Sequence, residues 1–274
     1  MSREAAASTP PMLKHWREVK AQHPHTILFY RVGDFYEMFN EDAHLAARIL
    51  DITLTSRGDG VPLAGVPVKA ATDYLRQLVA AGHRVAICEQ VEDPKLAKGL
   101  VRREVVETLT PGALLQEGWL AGGRNNWIVA VADGRRGERA ERQDGGTAEW
   151  RNGGTKTLGL AAIDLSTGEF LLETVDDVGL EESFSRLAPA EAIVRSGGAS
   201  VTLPESSTRL TVEREAWEFD ADPAREELCR RFALASLDGL GLAPDDAAAL
   251  GAAGALLRYL SELQPAGLPH LTRP

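Results

Sequence analysis

No stretch of this 274-residue sequence runs uninterrupted through the ~18 to 20 apolar residues that a membrane-spanning helix requires. Residues 1–11 are small and polar and lack the apolar centre of a signal peptide. Cysteine occurs only at Cys88 and Cys229, too few and too far apart for a disulfide framework or a zinc site. Reducing, cytoplasmic surroundings are therefore expected, with Cys88, which lies in an apolar strand-like run, as a small core residue. A Gly-Lys dipeptide occurs nowhere, so the chain carries no Gly-x-x-x-x-Gly-Lys-[Ser/Thr] phosphate loop. What these absences leave is a polar chain long enough for two domains, each with its own core.

Charge is unevenly distributed along that chain. The net charge of −10 by itself argues against a nucleic-acid partner. Residues 1–114, however, carry 14 Lys and Arg against 14 Asp and Glu, whereas residues 115–274 carry 16 against 26. All of the excess acidity lies in the second half. A neutral first half binds DNA where its basic groups cluster, and Lys95, Lys98, Arg102 and Arg103 cluster in sequence; the same pattern also suits a solvated surface loop.

Thr9-Pro10 reads as an N-cap and first helical residue, opening a helix to about Ala21 with Met12, Trp16 and Val19 on its apolar side. Residues 26–32 are an apolar run of strand length, rich in β-branched and aromatic residues. Gly33-Asp34 interrupts it. Helical spacing then places Phe35, Met38, Phe39, Leu45, Ala46, Ile49 and Leu50 on one stripe, and Asp34 with Glu37 has the spacing of a capping box. Two roles stay open at this turn: core for Phe35 and capping for Glu37, or ligand contact for both. Short strands are expected at residues 52–55 and 62–66, a helix at 72–81 with Tyr74, Leu75, Leu78 and Val79 inward, and strands at 84–91 and 101–109. Such alternation predicts a mixed α/β domain.

The string Phe29-Tyr30-Arg31-Val32-Gly33-Asp34-Phe35-Tyr36-Glu37-Met38-Phe39 closely resembles the amino-terminal signature of the bacterial MutS family of DNA mismatch-recognition proteins. The resemblance continues, in order and spacing, through Leu50-Asp51-Ile52-Thr53-Leu54-Thr55-Ser56-Arg57-Gly58 and Pro62-Leu63-Ala64-Gly65-Val66-Pro67. Val85-Ala86-Ile87-Cys88-Glu89-Gln90-Val91 and Val105-Val106-Glu107-Thr108-Leu109-Thr110-Pro111-Gly112 extend it. It implies that Phe35 and Glu37 form the family's Phe-x-Glu mismatch reader, in which the Phe wedges beside the mispaired base from the minor groove and the Glu hydrogen-bonds to that base. An inserted aromatic stacks on any base and kinks the duplex, and a weakly paired step opens most cheaply. Many members carry Tyr-His after the Gly-x-Pro, whereas this chain has Val68-Lys69, which offers a phosphate a point charge instead. Arg57, Lys69, Lys95, Lys98, Arg102 and Arg103 are the candidate contacts to the DNA backbone.

A second alternation begins near Asn125. Residues 127–132 and 157–165 are strand-like, and residues 133–156 between them have no apolar period and read as an insertion in a hairpin. A strand at 168–173, a helix at 180–187, a strand at 191–194 and helices at 224–232 and 245–263 complete the pattern. Trp217-Glu218-Phe219-Asp220 resembles the family's Trp-x-Phe segment, and the order of elements resembles its ribonuclease-H-like connector domain. The layout so implied is a mismatch-recognition domain over residues 1–114, a connector over 115–264, and the start of a lever domain at 265–274. The resemblance implies a fragment or truncated product, a non-enzyme without cofactor, since ATP and magnesium belong to family domains that are absent here. Its implied partners are duplex DNA with mismatches or small loops and a MutL-type protein, with homodimerisation a property of the full-length family and no membrane contact. Two rival readings stand beside this one. A nuclease would use Asp164 as a metal ligand, with Glu169, Asp176, Asp177 and Glu191 supplying further oxygens, although Asp164-Leu165-Ser166-Thr167-Gly168 is also ordinary turn chemistry. A protein-interaction module would suit the acidity of the second half.

Overall fold

The computed structural model describes residues 10–56, 60–113, 125–134, 157–197, 201–204, 208–242, 246–265, 267–268, 271–272 and 274. These form two units, one made by the chain up to Thr110 and one beginning at Pro111. The first unit opens with α1 (Pro11–Gln22), which has proline in its first turn and buries Leu13, Trp16 and Val19. It continues through β1 (Ile27–Val32), β2 (Phe35–Phe39), α2 (Asn40–Leu50), β3 (Thr55–Ser56) and β4 (Pro62–Pro67). A single 3₁₀ turn at Val68–Ala70, α3 (Ala71–Ala80), β5 (Val85–Gln90) and β6 (Arg103–Leu109) complete it. The strands form one sheet in the order β3-β4-β2-β1-β5-β6. Only β1 and β5 pair in parallel, and the other neighbours are antiparallel. Leu13, Trp16 and Val19 pack with Leu28, Tyr30, Phe39, Ala86 and Cys88, so Cys88 is a core residue as expected. Burial pushes its thiol up to about 12, which keeps it inert.

One expected element is different. Residues 35–39 are a strand, not the first turn of a helix, so Asp34 and Glu37 form no capping box and α2 begins only at Asn40. The reason is the two-residue loop Gly33-Asp34, which joins Val32 to its cross-strand partner Phe35. Gly33 has a φ of 58°, the left-handed conformation that a tight hairpin demands at its first central position and that glycine adopts without strain. Once turned back, β2 is held on both sides, by β1 and by β4. Pairing on two edges outweighs a helical apolar period of five residues.

The second unit contains β7 (Trp127–Asp133), β8 (Leu158–Asp164), β9 (Phe170–Val175), α4 (Asp177–Leu187), β10 (Glu191–Arg195), β11 (Leu210–Arg214), α5 (Ala221–Arg231) and α6 (Ala247–Leu263). Its sheet runs β11-β10-β7-β8-β9. The first three strands pair antiparallel, and β10 joins β7 and β11 in parallel. This is the ribonuclease-H-like arrangement. Central strands β7 and β8 are buried on both faces, which explains their near-continuous apolar sequence. Val129, Val131, Leu160 and Ala162 meet Leu180, Phe184 and Leu187 of α4, while Ile128, Ala130, Ala161 and Ile163 meet Leu250, Ala253, Leu256 and Leu257 of α6. Glycines on both elements permit close approach: a Cβ at Gly159 of β8 would stand 2.0 Å from the carbonyl carbon of Ala248 in α6, and one at Gly251 of α6 would stand 2.1 Å from the carbonyl oxygen of Phe219. Strand β11 was not expected from the sequence. Apart from Asp133 and Gly134, the insertion read at residues 133–156 lies outside the described residues. No helix among the described residues is long and apolar enough to cross a membrane.

Candidate nucleic-acid interface

Strand order in the first unit brings the sequence-distant candidates to one end of one sheet. Phe35 is the first residue of β2, and its partners are Val32, the last residue of β1, and Pro67, the last residue of β4. Parallel to β1, β5 also ends on this side, and the connection from Val91 to Arg102 therefore emerges beside the Gly33-Asp34 turn. Lys69, Phe35 and the basic connection thus share the sheet end.

Phe35 is not part of the core. It is 47% exposed, whereas Tyr36 beside it is 7% exposed, because alternation along β2 turns them to opposite faces. Glu37 lies on Phe35's face, half-buried, opposite Tyr30 of β1 and Gly65 of β4. Gly65 is a contributor that sequence reading passed over. A Cβ there would be 3.9 Å from both Glu37 Cγ and Phe35 Cδ1, so any longer side chain would lie along the flank of the two residues. The turn that precedes Phe35 is tied down by its carbonyls. Gly33 O accepts from Arg31 Nε at 2.5 Å, and Asp34 O accepts from Val68 N at 2.9 Å.

Among the basic candidates, Lys69 is exposed in the turn after β4. Lys95, Lys98 and Arg102 are exposed on the β5–β6 connection, together with Leu96. That connection is shaped by its own hydrogen bonds: Val91 N to Arg102 O at 2.9 Å, Lys95 N to Asp93 Oδ1 at 2.9 Å, and Arg102 N to Glu92 Oε1 at 2.6 Å. The Arg102–Glu104 ion pair, at 3.6 Å between exposed groups, is weak enough for a phosphate to replace. Arg103 differs from the other three. It is 7% exposed, donates from Nε to Arg31 O and from Nη1 to Val101 O, both at 2.7 Å, and its guanidinium lies over the Tyr30 ring. Its charge is engaged inside the fold, and it leaves the set of backbone contacts. Arg57 lies outside the described residues.

The residues of the nuclease reading do not converge. Asp164 ends β8, the second strand of its sheet, and is fully buried. Its Oδ1 accepts from Ser166 N at 2.7 Å and Ser166 Oγ at 2.6 Å, and its Oδ2 accepts from Asn126 N at 2.9 Å. Asp176 caps α4 by accepting from Gly179 N at 2.8 Å, and Glu169 accepts from Asn125 Nδ2 at 2.6 Å. Glu191 is buried and accepts from Gly112 N at 3.1 Å and from the Tyr259 hydroxyl. Among the described residues, no group of three or more His, Cys, Asp and Glu is placed to hold a metal ion.

The first unit thus presents an exposed aromatic beside exposed cations at one sheet end, and Asp164, Glu169, Asp176 and Glu191 of the second unit are each held in hydrogen bonds of the fold. The model of MutS domain I matches residues 10–118, and the model of MutS domain II matches residues 146–272. These two stretches take in most of the sequence and nearly every element described above; the chain belongs to the MutS family, with a recognition domain and a connector domain.

Proposed function

We propose that the first unit reads mismatches with Phe35 as the wedge and Glu37 as the base contact. The single observation that carries the reading is the exposure of Phe35 at the end of a strand whose other aromatic side chains are buried. A large apolar ring left in water at a defined edge is the side chain a duplex can accept between base steps. Glu37, two residues on and on the same face, offers an oxygen to the unstacked base. Lys69, Lys95, Lys98 and Arg102 meet phosphates and position the duplex without reading sequence. Magnitudes favour mispairs: unstacking costs a few kcal/mol per step, and least where pairing is already weak. The second unit acts as a connector toward a MutL-type protein partner, for which its acidity is better suited than for DNA. The chain itself performs no ATP hydrolysis, which in the family belongs to other domains.

The test pairs melting curves with binding isotherms on matched and mismatched duplex at low salt. Phe35→Ala should change stability by no more than about 0.5 kcal/mol, as at a surface site, and abolish the preference for the mismatch. Glu37→Ala should reduce that preference and tighten binding to matched DNA, because removing a carboxylate beside the phosphates relieves repulsion. A core role for Phe35 predicts instead a loss of ~3 to 5 kcal/mol with the preference intact. That result would falsify the wedge assignment.

A further inference from the structure

Tyr36 stands between the two proposed readers and points the other way, into protein. On its face the register places Arg31 of β1 directly opposite it. Tyr30 pairs with Cys88 across β1 and β5, so Arg31 is level with Glu89 of β5. Three side chains from three adjacent strands therefore form a row. The Tyr36 hydroxyl donates to Glu89 Oε1, and Arg31 Nη1 reaches Glu89 Oε1 and Oε2 at 3.4 and 3.5 Å. Glu89 Oε2 also accepts from Gln90 N at 3.3 Å. The guanidinium of Arg31 lies 5.6 Å from the Tyr36 ring centre, and Phe29 packs against the same ring at 5.6 Å. The row reaches the turn as well, since Arg31 Nε donates to Gly33 O. One arginine thus grips both the turn before Phe35 and the tyrosine after it.

From this row we infer that Arg31, Tyr36 and Glu89 are positioning residues for the mismatch reader, fixing the roll of β2 so that the Phe35 ring meets the duplex at a discriminating angle. The inference rests on the reading of Phe35 as the wedge. Its physical basis is that an exposed ring has few contacts of its own to direct it. The ladder to β1 and β4 fixes the height of β2, but Phe35 is its first residue and is the last rung of both pairings, with no strand residue before it to restrain its roll. The direction of the Phe35 Cα–Cβ bond then follows the roll of the strand, and the neighbouring residue sets that roll. Binding constellations tolerate errors of only about 0.5 Å and 10–20°. A tyrosine held at its hydroxyl, on its ring face and through its cross-strand neighbour supplies that restraint. Phenylalanine would fill the same space, and a buried hydroxyl is unfavourable unless bonded, so the hydroxyl is there for its bond to Glu89. Burial and Glu89 push the Tyr36 hydroxyl up to about 12, and it remains a donor at ordinary pH.

A purely stabilising cluster and a positioning cluster differ in one measurable quantity. Loss of stability lowers the folded fraction and moves affinity for matched and mismatched duplex together, whereas loss of position moves their ratio. The experiment is fluorescence anisotropy of the purified chain at low salt, well below its melting temperature, on a duplex with one G·T mismatch and on its matched counterpart. Tyr36→Phe removes only the hydroxyl and should lower the mismatch-to-matched affinity ratio about three- to tenfold, the effect of one hydrogen bond, with matched affinity within about twofold of wild type. Glu89→Ala should lower the ratio at least as far. Glu89→Gln, whose amide oxygen still accepts from Tyr36, should retain more of it than Glu89→Ala. Phe35→Ala, measured alongside, separates the two levels of inference. If Phe35→Ala loses the preference while Tyr36→Phe keeps the wild-type ratio, the positioning role is overturned and the wedge stands. If Phe35→Ala keeps the preference, the wedge falls and the positioning role falls with it.

Discussion

Phe35 and Tyr36 are adjacent and carry nearly the same ring, yet one is 47% exposed and the other 7%. Helical spacing puts Phe35 on the apolar stripe with Met38 and Phe39, and only the strand conformation separates it from Tyr36. The family resemblance points to Phe35 and Glu37, whereas the nearness of Gly65, Arg31 and Glu89 to that stretch becomes legible only through register, which no local pattern encodes. Arg103 shows the same limit from the other side. In sequence it is one of four clustered cations, while its place as the first residue of β6 turns it inward onto the carbonyl of Arg31. Asp164 offers a residue-scale prediction. It is wholly buried, and its carboxylate accepts hydrogen bonds from Asn126 and from the backbone and side chain of Ser166. An asparagine has one oxygen for these donors and must aim its NH₂ at another. Asp164→Asn should therefore cost about 1–3 kcal/mol in urea-melting experiments, as expected when buried donors lose their acceptor. Stability unchanged within error would show that the turn does not depend on this carboxylate.

At the scale of elements, most helices and strands were readable because their periods are long or their runs wholly apolar, as in α3, β7 and β8. The five residues of β2 satisfy both the helical and the strand period, so periodicity alone does not separate this strand from a helix start. Gly-Asp between the β-branched and aromatic run at 26–32 and the aromatic run at 35–39 is itself a hairpin signal, in competition with the capping-box spacing of Asp34 and Glu37. Strand β11 escaped notice because Leu210–Arg214 alternates polar and half-buried residues at a sheet edge, with little apolar content to mark it. The end of α1 gives a prediction of its own. His23 closes that helix, where a protonated imidazole would face the negative end of the helix dipole. Burial outweighs this and, with Arg84 and Lys20 nearby, holds the His23 pKa below its ordinary value. His83, just after α3, is lowered in the same sense by burial and by Arg48. A pKa lowered in the folded state gives stability that is complete above the unfolded value of about 6.5 and is lost as pH falls through the lowered folded value. The melting temperature should drop on acidification below pH ~6.5, and His23→Gln with His83→Gln should flatten that drop relative to the parent chain. Asp42 and Glu107 act in the opposite direction, because burial raises both, and comparing variant with parent at each pH cancels their contribution. A double variant with the parent's full acid slope would remove the histidines from the account.

For the whole molecule, the partition of charge was plain in the sequence, whereas the assembly of basic groups at one sheet end was not. Residues 1–114 are neutral in sum, and residues 115–274 carry the entire −10. A neutral domain attracts a polyanion only through local arrangement, which here means Lys69, Lys95, Lys98 and Arg102 on the side of the sheet that also presents Phe35. The acidic unit should repel a duplex at long range and weaken steering by the first, most strongly at low salt, where screening extends only over long distances. Two consequences are measurable with polypeptides spanning residues 1–110 and 111–274 beside the intact chain. DNA binding should reside in 1–110 and be absent from 111–274, and 1–110 should bind matched duplex more tightly than the intact chain at low salt, the difference shrinking as salt rises. If all four cations meet phosphates, the plot of log affinity against log salt for 1–110 should have a slope of about −3.6, and each Lys→Gln substitution should make it shallower by about 0.9. A slope near zero would mean that these residues do not touch the backbone, and that the sheet end holds DNA through Phe35 and Glu37 alone. Tighter binding by 111–274 than by 1–110 would overturn the division of labour itself, because it would place the duplex on the acidic half against its own field.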